Sequence, residues 1–353
     1  MTPHVSIILL NWNGWKDTIE CLESVYQIDY PSYSVILVDN NSTDDSLEKI
    51  RDYCSGKIDI YNLKSENIAK NLSKIVKKSV NKPIEIKEFN ENDFEKGKAG
   101  KSEEETSDRK QLFLIKNNDN HGFAGGNNVG IKFAQKVIKS DYILLLNNDT
   151  VVEKEFLGPM IDIAEKNKDV GFVGPKTYFY HNYPEKIIQI TGGGGIDLKK
   201  AKTFQRGYQE KENDQYNDSV NLGYIGGSCV LVKKEVLEEI GLLDERFFMY
   251  WEDTDWSYRG NKAGYRSIYQ PKSIIWHKHG ASSKPCFELY YLSRNRVFFM
   301  KKNATPGEYR SFLLHFFASV FWLDIWYYLI HLKDLKRVSC YLKGLRDGFK
   351  LKI

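Results

Sequence analysis

The chain has 353 residues, 41% hydrophobic and 28% charged, the proportions of a globular protein with a real core, and its length suits one large domain or one domain with an appendage. A net charge of +4, from 51 basic and 47 acidic residues, gives no argument for nucleic acid as a partner. Five scattered cysteines (Cys21, Cys54, Cys229, Cys286, Cys340) form no C-x-x-C pair, which reads as reduced thiols of a cytosolic protein rather than a zinc site or a disulfide framework.

The N-terminus enters an apolar run at once, without the basic and apolar regions of a signal peptide. That run, Val5–Leu10, is too short for a helix and rich in β-branched residues, so it predicts a strand buried on both faces. Trp15–Gln27 carries apolar residues at helical spacing. Val35–Val38 is a second strand, and Ser42, Thr43 and the acids Asp44 and Asp45 open a helix to about Tyr53. Residues 64–110 are dense in Lys, Glu and Asn and read as a solvated insertion, partly helical near 68–80. Leu112–Ile115 is a third strand, Gly126–Val137 a helix and Tyr142–Leu146 a fourth strand. Alternation of strand and helix predicts a doubly wound, mostly parallel α/β sheet. Beyond Val152 the strands Val170–Val173, Gln189–Gly195 and Gly223–Val232 read as a mixed region, followed by a short helix over Lys233–Ile240. From Pro306 onward the chain is helical and aromatic.

Ligands of open α/β sheets bind outside the carboxyl ends of the strands. Here those ends read NWNG (Asn11–Gly14), DNNSTD (Asp39–Asp44), NHGFAGGNN (Asn120–Asn128) and NNDT (Asn147–Thr150), four polar segments at one edge. The glycine loop lacks the G-x-G-x-x-G spacing of dinucleotide folds and serves equally as a helix-packing device. Asp149 is a hard oxygen ligand suited to Mg²⁺ or Mn²⁺, although an acid after a strand also serves as an N-cap of a helix over Thr150–Phe156. In FFMYWEDTDWSYR (Phe247–Arg259) the acids Glu252, Asp253 and Asp255 crowd among aromatic rings, a setting that raises carboxyl pKa values and makes bases. IIWHKHG (Ile274–Gly280) ends a strand in two histidines, His277 and His279, on one face.

These stretches, in this order, resemble the family 2 glycosyltransferases of GT-A fold, most closely the rhamnosyltransferase-like branch. The resemblance implies a nucleotide-sugar donor, with Asp39 on its base, Asn11 and Asn13 nearby, and Gly122 and Asn127 along the nucleotide. Asn147 and Asp149 would stand for the D-x-D motif, the first acid being replaced by Asn147, so that Asp149 is left as the carboxylate ligand of a divalent cation. His277 would be a further metal ligand, with His279 the alternative. Asp253 would be the base that takes the acceptor's proton, and Gly227, Ser228, Trp251, Glu252 and Arg259 would shape the acceptor side. One base without an enzyme nucleophile implies inversion. The family-level donor is dTDP-rhamnose, UDP-sugars fitting the same motifs, and the acceptor a glycan or lipid-linked saccharide. A nucleotidyltransferase of similar sheet, or a non-catalytic sugar-binding relative, are the other readings; the first lacks a basic glycine-rich signature after the first strand.

The organisation expected is a GT-A domain over 1–305 and a helical tail over 306–353. Ser311–Leu332 has 22 residues, enough to span a bilayer, but Asp324 near its middle opposes insertion by about 2.5 to 3.5 kcal/mol. Seven basic residues follow between Lys333 and Lys352 against two acids. The expectation is a tail lying on the cytoplasmic face of a membrane, attracted by anionic lipid.

Overall fold

The computed structural model describes residues 2–62, 71–76, 79–93, 110–278 and 285–353. The chain runs β1 (Val5–Asn11), α1 (Trp15–Val25), β2 (Tyr33–Asp39), α2 (Ser46–Ser55), the single turn α3 (Leu72–Ile75), β3 (Glu85–Asn90), β4 (Gln111–Lys116), α4 (Gly122–Phe133) and β5 (Tyr142–Asn147). It continues through β6 (Thr150–Val152), α5 (Leu157–Lys166), β7 (Val170–Phe179), β8 (Ile188–Thr191), β9 (Gly193–Asp197), β10 (Lys202–Gln205), β11 (Asn221–Leu222), β12 (Tyr224–Ile225), β13 (Cys229–Lys233), α6 (Lys234–Ile240), α7 (Glu252–Lys262) and β14 (Arg266–His277). The helices α8 (Pro285–Asn303), α9 (Pro306–His315), α10 (Phe321–Trp326) and α11 (Leu335–Lys350) close it.

The main sheet has the order β11-β14-β7-β13-β5-β1-β2-β4-β3, with β6 on β14 and β8 on β7. β1, β2, β3, β4 and β5 pair in parallel, the inner strands β1, β2, β4 and β5 as their apolar runs require. β13 enters antiparallel between β5 and β7, which gives the expected mixed second half. Strand order reverses at β1: β2 lies on one side of it and β5 on the other. This is the switch point where α/β sheets bind ligands, and the register sets Asn11 opposite Asp39 and Leu10 opposite Asn147.

The described part of the charged insertion packs on the domain. β3 is a parallel edge strand on β4, and the Phe89 ring lies 5.0 Å from that of Phe133. Leu72, Val76, Val80 and Ile84 are buried in the main core. Glu23 of α1, itself buried, accepts from Val80 N at 2.5 Å and Lys82 Nζ at 3.2 Å. A buried carboxylate left without these partners is strongly unfavourable, so this part of the insertion is tied to the sheet. Of the helix expected near 68–80 the described residues show the single turn α3; 68–70 and 77–78, with most of the remainder of the insertion, lie outside the described residues.

The tail shares a core with the rest of the chain rather than hanging from it. Val297, Phe298, Phe299 and Met300 of α8 cluster with Phe312, Phe316, Tyr341 and Leu345. α11 crosses α8 at backbone contact: a Cβ on Gly344 would stand 2.3 Å from Ser293 Oγ, and one on Gly348 2.4 Å from Arg294 O. That crossing brings Cys286 and Cys340 to a Cα separation of 5.8 Å, where they form a disulfide. The expectation of five reduced thiols holds only for the buried Cys21, Cys54 and Cys229; helix packing, invisible in cysteine spacing, pairs the other two.

Candidate active site

Two antiparallel pairings assemble the site. β6 runs back along β14 and sets Thr150 opposite His277, so Asp149 meets the histidine: His277 Nε2 and Asp149 Oδ1 are 3.0 Å apart. Asp149 is therefore no N-cap, since Thr150–Val152 is a strand and the next helix begins at Leu157. On the other side, β13 lies along β5 and Asn147 N donates to Ser228 O at 2.9 Å. The preceding residue, Gly227, donates its N–H to Asp253 Oδ2 at 2.8 Å. Gly227 and Ser228 thus form a two-residue bridge between the Asn147–Asp149 corner and the Asp253 carboxylate.

Asp253 lies in the first turn of α7, where the helix dipole favours acids. Its Oδ1 accepts from Thr254 N at 2.6 Å. Burial raises the Asp253 carboxyl above its ordinary value, against the N–H groups of Gly227 and Thr254 that favour the charged form. Glu252 is buried with Oε2 unpartnered, and burial, then the neighbouring Asp253, push its carboxyl well up. Both adjacent acids are thus pushed up, Glu252 further than Asp253. Asp255 plays a different part. Fully buried, it takes Arg259 Nε, Lys302 Nζ and Asn303 Nδ2 at 2.9, 2.8 and 2.8 Å and ties α7 to α8.

The Asp149 corner fits a divalent cation. His277 Nδ1 is 2.9 Å from Gln189 Oε1; an amide oxygen can only accept, so Nδ1 carries a proton, and Nε2 is the ring atom turned toward Asp149. With a cation bound, Nε2 and the carboxylate would both turn lone pairs toward it. Their 3.0 Å separation is about that of neighbouring ligands around an octahedral ion with bonds of about 2.1 Å. Gln189 is the outer partner that orients a metal-bound histidine. Burial pushes the Asp149 carboxyl up, but His277 and Lys278 outweigh it and hold it below the usual range. Lys278 also fixes the corner through its N–H to Asp149 O at 3.0 Å and its ammonium to Asp17 at 2.5 Å. Among the described residues no group of three or more His, Cys, Asp or Glu is poised for a metal, so a cation here would complete its shell from Asn147, substrate and water. His279 lies outside the described residues.

On the donor side Asp39 accepts from Asn11 Nδ2 at 2.7 Å, Ser42 Oγ at 2.6 Å and Ser42 N at 3.0 Å. Asn13 accepts from Thr43 N at 2.7 Å. Asn11 and Asn13 therefore shape the loop around Asp39. Gly122, at φ +69°, passes beneath Phe248, whose carbonyl a Cβ would meet at 2.5 Å. The other glycines settle the open reading of this loop: Cβ atoms on Gly126 and Gly130 would strike Leu10 and Ile8 at 2.6 Å, so the repeat lets α4 lie on β1. Asn127 is buried and donates to Phe123 O of its own helix at 2.9 Å. Arg259 donates to Asp255, Ile240 O and Leu242 O. The Trp251 ring packs on Phe299 at 5.0 Å, as part of the tail core. Sequence reasoning missed Ser42, Gln189 and Lys278; the last two carry no signal until the fold brings residues far apart in sequence together.

Residues 101–297, more than half of the chain, match the family model described as glycosyltransferase like family 2, and residues 6–84 match that of glycosyl transferase family 2. The chain belongs to glycosyltransferase family 2. This family 2 chain is 26% identical over 157 residues to the low-salt glycan biosynthesis hexosyltransferase Agl10 of Haloferax volcanii, covering 43% of the chain and 47% of that protein. It is 36% identical over 151 residues to the N-acetylglucosaminyl-diphospho-decaprenol L-rhamnosyltransferase of Mycobacterium tuberculosis, covering 40% and 48%. The chain thus spans about half the length of these relatives. In three dimensions it resembles the mannosyltransferase PcManGT of Pyrobaculum calidifontis, solved with GDP-Man and Mn²⁺, at TM-score 0.52 and 13% identity over 100% of the chain and 77% of PcManGT. The fold is of GT-A type.

Proposed function

We propose that this family 2 chain is an inverting glycosyltransferase that moves a sugar from a nucleotide-sugar donor to a hydroxyl of a lipid-linked saccharide. The observation that carries the reading is the Gly227–Ser228 bridge, which joins the Asp253 carboxylate to the Asn147–Asp149 corner. Asp253 takes the acceptor's proton as its oxygen attacks the anomeric carbon; the bond from that carbon to the diphosphate breaks and the nucleoside diphosphate leaves. Asp39 receives the donor's base and Ser228 lies along the sugar. Glu252, buried beside Asp253, backs the acceptor side. Asp149, His277 and Asn147 would hold a divalent cation, which supplies charge to neutralise the departing diphosphate. A relative acting on a diphospho-decaprenol acceptor favours rhamnose as the sugar and a polyprenol as the carrier. The test is release of nucleoside diphosphate from dTDP-rhamnose, UDP-GlcNAc and GDP-mannose, with and without Mn²⁺ and an N-acetylglucosaminyl-diphospho-polyprenol in vesicles. Cation-dependent release that the acceptor accelerates, with sugar recovered on the lipid, is expected; a chain inert toward all three is not this enzyme.

The tail gives the lipid-linked acceptor a surface to approach from. The helix Pro306–His331 is long and apolar enough to cross a membrane, but one face is already occupied. Phe312 and Phe316 pack on α8, and Asp324 turns inward to accept from Tyr341 OH at 2.8 Å. The other face leaves Leu314, Trp322, Leu323, Trp326 and Ile330 more than half exposed. A helix with one protein face and one aromatic face suits the plane of the headgroups, and the basic residues around α11 add about 1 kcal/mol each on anionic lipid. In flotation, the chain should rise with anionic vesicles, less so at high salt, while Leu323→Glu/Trp326→Glu stays behind. Substitutions serve better than cutting at Thr305, which would strip Phe312, Phe316 and Tyr341 from α8. Equal flotation of both proteins would remove the membrane face.

A further inference from the structure

The turn leading into α7 is held in a conformation that its own residues do not favour. Phe248, Tyr250 and Trp251 have φ of 65°, 68° and 74°, the left-handed region that residues bearing a side chain seldom enter. Trp251 immediately precedes the first turn of α7, so this backbone decides where Asp253 points. The constraint comes from α8. Asn295, fully buried, directs its amide N–H groups at Phe247 O, Met249 O and Tyr250 O at 2.8, 2.7 and 2.7 Å. Arg294 Nε donates to Asn295 Oδ1 at 2.8 Å, which fixes the orientation of that amide, and Arg294 Nη2 adds a second donor to Phe247 O at 2.8 Å. The remaining carbonyl, Phe248 O, accepts from Phe123 N at 2.6 Å and Ala124 N at 3.1 Å, at the start of α4. Four successive carbonyls are thus held from outside the turn, three of them by one side chain.

We propose that Asn295 is a positioning residue for transfer: by clamping Phe247–Tyr250 it starts α7 where the Asp253 carboxylate reaches the Gly227 N–H. Its side chain spends its donors and its oxygen on the protein and touches no substrate. The inference rests on the assignment of Asp253 as base. A base moved by about an ångström loses on the order of 100-fold in rate, whereas the Asp39 loop, held by Asn11 and Ser42, makes no bond to Asn295, whose partners are Phe247, Met249, Tyr250 and Arg294.

The experiment compares the wild type with Asn295→Ala, Asp253→Asn and the double variant, in the donor and polyprenol assay above, with nucleoside diphosphate affinity measured by calorimetry. Expected for Asn295→Ala are a kcat about 100-fold lower and nucleotide affinity within about two-fold. The double variant should be no slower than Asp253→Asn alone, because a displaced base has little left to lose. A kcat within about three-fold of wild type, or losses that multiply in the double variant, would overturn the proposal. Should Asn295→Ala fail to fold, Arg294→Lys frees the amide while keeping the charge, and must show the same pattern of lowered kcat, kept affinity and non-additivity. Transfer by the wild-type chain tests the reaction reading separately, so a variant that matches it counts against the clamp alone.

Discussion

Asp253→Asn lowers transfer by about 10²- to 10⁴-fold, the range for a positioned base, with donor affinity nearly unchanged. The substitution removes the proton acceptor, and it also disturbs local bonding. Both carboxylate oxygens accept from N–H groups, Oδ2 from Gly227 and Oδ1 from Thr254, so an amide must turn its NH₂ against one of them. Asp253→Glu, which restores a carboxylate on a longer arm, separates the two effects: partial recovery marks the base, none marks the geometry. The pH profile gives an independent sign. Burial raises the Asp253 carboxyl, so the ionised base forms only above the ordinary Asp value of about 3.9. Activity should rise with pH through that raised value, and the acid limb should vanish from the residual rate of Asp253→Asn. Asp255→Asn is the control. Its carboxylate faces Arg259, Lys302 and Asn303, so it should lower the melting temperature far more than the kcat of the folded enzyme. The reverse ranking in kinetics would make Asp255 the base.

Legibility in the sequence followed how much of a residue's role its neighbours in the chain determine. The inner strands β1, β2, β4 and β5 were plain, because burial on both faces demands an unbroken apolar run. Their polar ends therefore gave the site edge. β14 was legible only in its last part: its 12 residues contain Gln270–Ser273, where a register shift against β7 interrupts the pattern. Pro271 falls in that shift, as strand prolines do. In the insertion the average composition concealed Leu72, Val76, Val80 and Ile84, whose burial depends on α1 and the sheet supplying the opposite wall. Polar residues were hardest. Arg259 and Asn127 look like ligand groups in sequence, and only the direction of their side chains shows that each also donates to carbonyls of the protein. Asn295 carries no sequence signal of its role, since its three acceptors lie more than 40 residues away.

Asp149→Asn abolishes Mn²⁺-dependent transfer and Mn²⁺ binding together, while the fold persists. The folded state tolerates the change because an amide has the shape of the carboxyl and can keep a hydrogen bond with His277 Nε2, which lies 3.0 Å from Asp149 Oδ1. The same contact turns a cation ligand into a competing donor, and with Asn147 already an amide the corner then offers no anionic oxygen. Gln189→Ala provides a graded companion. It removes the oxygen that holds the proton on His277 Nδ1, and loss of such an outer partner costs about 10- to 100-fold in metal affinity. The expected order of Mn²⁺ affinity, read by electron paramagnetic resonance without substrate, is wild type, then Gln189→Ala, then Asp149→Asn. Asp253→Asn should bind Mn²⁺ like the wild type, since its carboxylate is spent on Gly227 and Thr254. If Asp149→Asn keeps both its Mn²⁺ affinity and its turnover, the cation is held elsewhere and the pairing of Asp149 with His277 is a structural ion pair.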